Sequence, residues 1–582
     1  MKPRLQHLHT YFFFPFSIDK EVITEGREAL WKKYPHWIDG LDEWLASFNT
    51  PGRSPAVDRL GCWQRAAYSQ FDMDSQAYQD MVFFHPYVRR IFFDTLEVPS
   101  PLGERVALIR CYTIPTGGRG RVWMEAQDVR GRSAKVEVTD LRLFLFANGM
   151  GILSIGIEAH DVLVSDALWI NEQMRKIYPS SGRQLREGRG LSRVALRAGD
   201  PGREELVAEE TYRNASMLGF QPPLSCVITS LLYFMDYERS AYEQLLDERM
   251  IVYTYAAVDP ATVQPGIANS EEYQVFLSRL LYVETAGETY RYEPEFLRTQ
   301  MKQAVYTRWA HEGTYYGFTS YSSVSLCLGA ADRGEHSLQE GFLIHRMFDT
   351  KYYLMALVAL FYRATLLDFA EKSALVSKRL YRDQAEGEIS RENVKIATAL
   401  RAEFLHYSNY WYFEELANKD EESEHFDIQC RAYKIGEMKK EVEEEIETLN
   451  AALHEYYQDR NTRAVNRLAV LSVIFGAGAG ITGFFGMNFG REFGKIFFEP
   501  EGGFAALHYL AIAWVVFLTG AAITFAAYLL VKNWGDYSDI LGRPRESESD
   551  MGQWYSLKKI EFPHQPAPRK RPMLGRPAEK KP

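Results

Sequence analysis

The sequence predicts an α+β soluble domain followed by long stalk helices and two C-terminal transmembrane helices. Three observations carry this fold class. Two apolar runs without a charged residue, 468–485 and 507–531, stand near the C-terminus. A three–four repeat of apolar residues, Ile435, Met438, Val442, Ile446, Leu449 and Leu453, leads into the first of them. Before about residue 350 the chain instead shows short strand-like segments separated by turn residues.

The composition resembles that of a globular protein, with 46% hydrophobic and 25% charged residues and a mean hydropathy of −0.29. Such values are expected when only a small fraction of the chain enters lipid. The 582 residues leave room for two or three modules and a large core. A net charge of −10 argues against nucleic acid as a partner. Cys62, Cys111, Cys226, Cys327 and Cys430 show no CxxC spacing, so they read as reduced thiols in a cytosolic domain. The run Tyr11-Phe12-Phe13-Phe14-Pro15-Phe16 is too short for a signal-peptide core and is broken by proline. The N-terminal part is therefore expected to stay cytoplasmic. His7 and His9 have metal-binding chemistry, but at this end of the chain they are expected on a mobile terminus.

Residues 1–350 form the cytoplasmic α/β domain. Segments 122–126, 136–140 and 141–146 have strand character, and Asn148-Gly149-Met150-Gly151 is a hairpin turn leading into 152–157. The Pro-, Gly- and Arg-rich segments 115–120 and 188–203 read as loops. Gly117-Gly118-Arg119-Gly120-Arg121 lacks the Lys-Ser/Thr of a phosphate-binding loop and reads as a turn. No HExxH, GxSxG or Walker A motif is present, so no enzymatic activity is expected.

Residues 351–467 form the helical stalk region. Helices are expected over 351–380 and 390–416. Segment 352–369 is apolar enough to cross a membrane, but Arg363 near its middle, with Asp349, Lys351 and Asp368 about it, favours a buried soluble helix. The run Asn418-Lys419-Asp420-Glu421-Glu422-Ser423-Glu424 reads as a solvated acidic connector. Beyond it no proline or turn cluster precedes Leu468, so one helix is expected from about His425 to Phe485. It would be roughly 90 Å long at 1.5 Å per residue. Its acidic residues over 437–447 read as a solvated face.

The first transmembrane helix is placed at 468–486, the extracytoplasmic loop at 487–506, the second transmembrane helix at 507–531, and a basic Pro-rich cytoplasmic tail at 532–582. A span takes about 20 mostly apolar residues to cross about 30 Å of hydrocarbon. Segment 507–531 supplies them, with His508, Thr519 and Thr524 as its polar interruptions. The first is shorter, and Gly476, Gly478, Gly480 and Gly483 suit it to close helix packing or to bending. Arg460, Arg463 and Arg467 precede it, while Lys532, Arg543 and Arg545 follow the second span. Both ends are therefore expected inside. The tail reads as disordered or as a contact for anionic lipid.

Phe485-Gly486-Met487-Asn488-Phe489-Gly490-Arg491 closes the first apolar run. A Gly-Met-Asn at this place, after an α/β domain and a stalk and before a second span, resembles the CorA family of divalent-cation transporters. The resemblance is specific at Gly486-Met487-Asn488 and pattern-level over the first 350 residues. It implies a homopentamer in the plasma membrane, the bacterial inner membrane, with both termini cytoplasmic. The first spans would line a central pore and the second would face lipid. Two helices per chain cannot enclose an ion path, which requires oligomerisation on physical grounds as well. The partners implied are further copies of the chain, the bilayer and divalent cations, with no cofactor.

The cargo the resemblance implies is Mg2+, with Co2+ or Ni2+ beside it. Mg2+ is reluctant to shed water, and a ring of Asn488 carbonyls can hydrogen-bond its hydration shell without stripping it. Gly486 allows the turn and adds its own carbonyl, and Met487 packs behind. Thr462, Asn466, Ser472 and Thr482 are the polar candidates for the pore lining. A hydroxyl bonded back to its own helix is the ordinary alternative for Ser472. Glu492, Glu499 and Glu501 are candidates for drawing cations to the mouth. The loop departs from the better-known magnesium members at Gly490-Arg491-Glu492-Phe493. With Lys495 it holds two cations against three acids, a net −1. That leaves open a Zn2+ transporter of the same superfamily. It also leaves open a membrane-anchored sensor or scaffold that does not conduct, or a tethered enzyme.

Overall fold

The computed structural model describes residues 4–18, 30, 32–34, 36–66, 82–94, 108–116, 121–176, 190–211, 224–235, 242–244, 249–259, 271–285, 292–328, 343–386 and 389–486, with eleven positions between 510 and 532. These residues fall into two units. Met1–Arg382 with Ala399–Glu444 belongs to the first, and Asp383–Thr398 with Glu445–Tyr555 to the second.

One mixed sheet organises the first unit. Its strands in chain order are β1 (Arg4–Ile18), β2 (Gln64–Arg65), β3 (Ile109–Thr113), β4 (Arg121–Asp128), β5 (Ser133–Phe146), β6 (Met150–Leu163) and β7 (Leu191–Gly199). They continue with β8 (Glu205–Thr211), β9 (Tyr242–Gln244), β10 (Ile251–Val258), β11 (Val305–Tyr306), β12 (Thr314–Phe318) and β13 (Ser322–Cys327). The order across the sheet is β11-β12-β13-β10-β1-β6-β5-β4-β7-β8, with β3 on β5, β2 on β3 and β9 on β1. Only the β10–β13 pair is parallel among the described strands.

The aromatic run near the N-terminus makes β1 a central strand, buried on both faces. Alternation sends Phe12, Phe14 and Phe16 into one core and turns His7, His9, Tyr11 and Phe13 the other way. His7 and His9 are thus held between β6 and β10, 6% and 3% exposed, and not on a mobile terminus. Pro15 is accommodated because β10 pairs with β1 only as far as Phe13 and β9 takes over at Phe16. Under the Phe12 face, helix α1 (Val164–Met174) brings Asn171 to Thr10 and Thr254, each 3.0 Å away, so the buried amide is satisfied.

The hairpin expected at Asn148 is present: Gly149 has φ +91°, and the Asn148 side chain accepts from Met150 N at 3.2 Å. Two strand expectations need correction. Segments 136–140 and 141–146 are one strand, with a register shift between Val138 and Asp140. The segment 188–203, expected to be a loop, contains β7. Its Val194, Leu196 and Ala198 are buried while Arg193 and Arg197 pair with Glu125, a period-two pattern that the surrounding Gly and Arg residues obscure.

The other face of β1 is covered by α2 (Leu343–Met347), a π-helical turn Phe348–Tyr352 and α3 (Tyr353–Glu386). Tyr353 lies 4.7 Å from Tyr11 and 5.4 Å from Phe13, ring to ring, and Phe348 stacks on Tyr253 at 4.3 Å. Ile344–Ala385 is long and apolar enough to cross a membrane, yet 83% of its most apolar window is buried within the protein. Arg363, the charge in its middle, donates to the Ser320 carbonyl and lies 5.2 Å over the Tyr433 ring.

Three helices follow: α4 (Arg391–His406), α5 (Asp420–Ala432) and α6 (Ile435–Gly486). The helix expected to Leu416 ends earlier, in a π-helical turn Tyr407–Trp411 followed by extended Tyr412. The acidic connector is a helix start: Asp420, Glu421 and Glu422 occupy the first turn of α5, where the helix dipole favours anions. Glu422 is buried there, not solvated. The stalk is also interrupted. Lys434, at φ +56°, separates α5 from α6, so the long helix begins at Ile435 and not near His425. Its 52 residues span about 78 Å at 1.5 Å per residue.

Candidate ion pathway

Along α6 the exposed side changes what it carries. Ile435, Val442, Ile446, Leu453, Ala464 and Leu471 are its buried positions. At 100° per residue, all six fall within about 20° of one line along the helix. The expected stripe therefore runs on past Leu453 to Leu471. Off this line, Glu437, Glu441, Glu443, Glu444, Glu445, Glu447, Glu455, Asp459, Arg463 and Arg467 are exposed. From Leu468 onward the exposed side is apolar: Leu468, Val470, Val473 and Phe475 are 39–70% exposed. The acids over 437–447 form the solvated face expected, with Lys439–Glu443 and Lys440–Glu444 contacts at 3.9 and 3.7 Å.

The polar candidates do not share one face. Thr462 and Asn466 are about 40° apart, on the exposed side opposite the buried line. Ser472 lies about 80° to the other side of Thr462, also exposed. Thr482 lies within the helical segment. The Thr462 hydroxyl donates to the Gln458 carbonyl at 2.8 Å, the back-bond that keeps a hydroxyl on its own helix. Gly486 is the last residue of α6. Met487, Asn488, Glu492, Glu499 and Glu501 lie outside the described residues, as does the tail.

The described positions between 510 and 532 are helical. Among them Leu510, Trp514, Phe517, Phe525, Tyr528 and Val531 are 55–76% exposed. Thr524 donates to the Gly520 carbonyl at 2.7 Å, which keeps its hydroxyl on its own helix. An aromatic and aliphatic surface of this kind is unfavourable in water and suits lipid or neighbouring helices.

In the first unit two acids of α5 pair with the turn that precedes α3. Lys351 contacts Glu422 at 2.6 Å, and the Tyr352 hydroxyl donates to Glu421 at 2.8 Å. His425 stacks on Tyr352 at 4.2 Å, and burial, then nearby Lys351, push its imidazole down to about 3. Sequence reasoning placed no group of this kind in the first unit, because each pair joins residues about 70 positions apart.

Residues 385–532 match the family model described as CorA-like Mg2+ transporter protein. The match starts at the end of α3, takes in α4, α5 and α6, and runs through the second apolar segment; the sheet lies outside it. No curated protein and no solved structure matches the chain.

Proposed function

From the match of residues 385–532 to the family model of CorA-like Mg2+ transporter proteins, we propose that the chain conducts divalent metal cations, Mg2+ foremost, across the bacterial inner membrane. Five copies would surround one pore, with their first spans innermost and Gly486, Met487 and Asn488 forming the outer ring. The observation that supports this most is the change on α6 at Arg467 and Leu468, from a charged to an apolar exposed side. It coincides with the basic residues that mark the cytoplasmic boundary. The apolar exposed side chains of 510–531 supply a lipid-facing surface of matching character. Neutral Asn488 carbonyls suit a cation that keeps its water, and two helices per chain make assembly a requirement.

Uptake of Mg2+, Co2+, Ni2+ and Zn2+ into proteoliposomes tests the proposal. Mg2+ uptake blocked by hexamminecobalt, a mimic of the hydrated ion, and lost in Asn488→Ala supports it. A wild type that conducts none of the four ions points to the anchored sensor or scaffold, and an Asn488→Ala variant that conducts normally removes the filter. Zn2+ uptake in preference to Mg2+ selects the zinc transporter.

A further inference from the structure

The first unit holds a cluster of metal-ligating side chains that no part of the ion pathway uses. The β1–β6 register sets His9 opposite Glu158 and His7 opposite His160. All four thereby stand on one face of two adjacent strands. Helix α2 lays His345 over them. His9 Nδ1 and His345 Nε2 are 2.8 Å apart. Three imidazole nitrogens converge on a single oxygen, Glu158 Oε1: His9 Nδ1 at 3.3 Å, His7 Nε2 at 3.6 Å and His345 Nε2 at 3.8 Å. His160 Nε2 stands 4.0 Å from Oε2 and is largely exposed.

We propose that His7, His9, Glu158 and His345 form a binding site for one first-row transition-metal dication, such as Zn2+, Co2+ or Ni2+, with His160 at its rim. Tetrahedral ligands held about 2.0–2.1 Å from Zn2+ are about 3.3 Å from one another. Within His9-Glu158-His345 the separations, 2.8–3.8 Å, need only small side-chain adjustments to meet that spacing, and His7 joins them through Glu158 Oε1 at 3.6 Å. Two triads in the cluster, His7-Glu158-His160 and His9-Glu158-His345, each bring their ligand atoms within 4.8 Å of one another and share the carboxylate.

An independent observation points to a ligand. His7 is 6% exposed, and its Nε2 faces the cluster without a hydrogen-bond partner. A buried imidazole nitrogen in that condition carries a desolvation cost that a bound cation removes. The cluster offers a carboxylate and imidazoles, the donor types that a transition-metal dication takes.

The donor set selects the ion. Imidazole nitrogen suits Zn2+, Ni2+ and Co2+, whereas Mg2+ takes oxygen ligands in an octahedron and keeps several waters. The site is therefore suited to cations other than Mg2+. It also ties the central strand to α2, which passes through the π-helical turn Phe348–Tyr352 into α3. Turns of that type are frequent at functional sites.

The experiment is Zn2+ calorimetry and Co2+ visible absorption on the full chain, stripped of metal and held in detergent. The expected result is one tightly bound ion per chain, retained in Asn488→Ala and not displaced by an equal concentration of Mg2+. His345→Ala and Glu158→Gln, with circular dichroism unchanged, should each weaken it about tenfold or more, since even an outer-shell partner contributes that much. On the wild type, Zn2+ should also shield His345 from diethyl pyrocarbonate, a readout that needs no variant to fold. Wild-type binding in both variants, unchanged His345 labelling, displacement by equimolar Mg2+, or loss of the ion in Asn488→Ala would each overturn the site.

Discussion

Lys351 and Glu422 form an ion pair at 2.6 Å in which both side chains are withdrawn from water, 8% and 2% exposed. It joins the π-helical turn before α3 to the first turn of α5. The lysine is further held by the rings of Phe83 and Tyr352, at 5.1 and 4.8 Å. Removing one partner strands the other charge, which costs about 3–5 kcal/mol. Glu422→Gln should therefore lower the unfolding midpoint strongly. The double variant Lys351→Met with Glu422→Leu should recover most of the loss, because both charges leave together. A double variant no more stable than Glu422→Gln would show that packing, not charge, is what the pair supplies.

His425 gives the same region a pH dependence. Its folded value of about 3 lies below the ordinary 6.5. Between the two the unfolded chain takes up a proton that the folded chain refuses. The stability is fully present above about pH 6.5 and is lost as pH falls toward 3. Its Nδ1 has no hydrogen-bond partner, and its ring sits among Tyr352, Phe318 and Tyr316. His425→Phe thus removes the titration and keeps the stacking. Unfolding midpoints measured from pH 7 to 4 should fall less steeply in the variant than in the wild type; equal slopes would assign the acid sensitivity elsewhere.

Gly156 lies between Tyr11 on β1 and Asp140 on β5. A Cβ there would stand 2.8 Å from Tyr11 Cε1 and 3.2 Å from Asp140 Cβ. The Tyr11 ring cannot swing away, since its hydroxyl is bound to Asp349 and its face is packed by Tyr353. Gly156→Ala should destabilise by about 1–3 kcal/mol through overpacking. Gly436, near the start of α6, meets nothing within 4 Å of such a Cβ. Gly436→Ala should instead gain up to about 1 kcal/mol from helix propensity. Thermal midpoints of the two variants should move in opposite directions.

The sequence was most legible where one local pattern decides the structure. The Asn148-Gly149 hairpin and the stripe from Ile435 to Leu453 both depend on neighbours within a few residues. The apolar helix around Arg363 was also legible, because one charge in a long run needs a protein partner. What escaped were consequences of distant pairing. Nothing near His7 announces that Glu158 and His345 will close around it, although His7-Leu8-His9 and Glu158-Ala159-His160 each carry the period of a strand. Glu422 looked solvated because its partner, Lys351, is 71 positions away. Lys434 broke the stalk without the glycine, asparagine or proline that usually signals a helix end.

Val473 tests the membrane placement of α6 most directly. It is 70% exposed and stands three turns beyond Thr462 on nearly the same azimuth, opposite the buried line. Facing water, a valine there tolerates arginine at little cost. Facing hydrocarbon, an arginine costs about 2.5–3.5 kcal/mol even on the insertion scale. Val473→Arg should therefore shift the chain from the membrane fraction toward aggregates. Glu445→Arg, on the charged part of the same helix and likewise exposed, should leave the membrane fraction unchanged. Equal membrane fractions for the two variants would place Val473 in water, either outside the bilayer or along the pore. Proteoliposome uptake separates those two, since an arginine on the pore wall repels the cation and lowers conduction while one outside the bilayer leaves it unaltered.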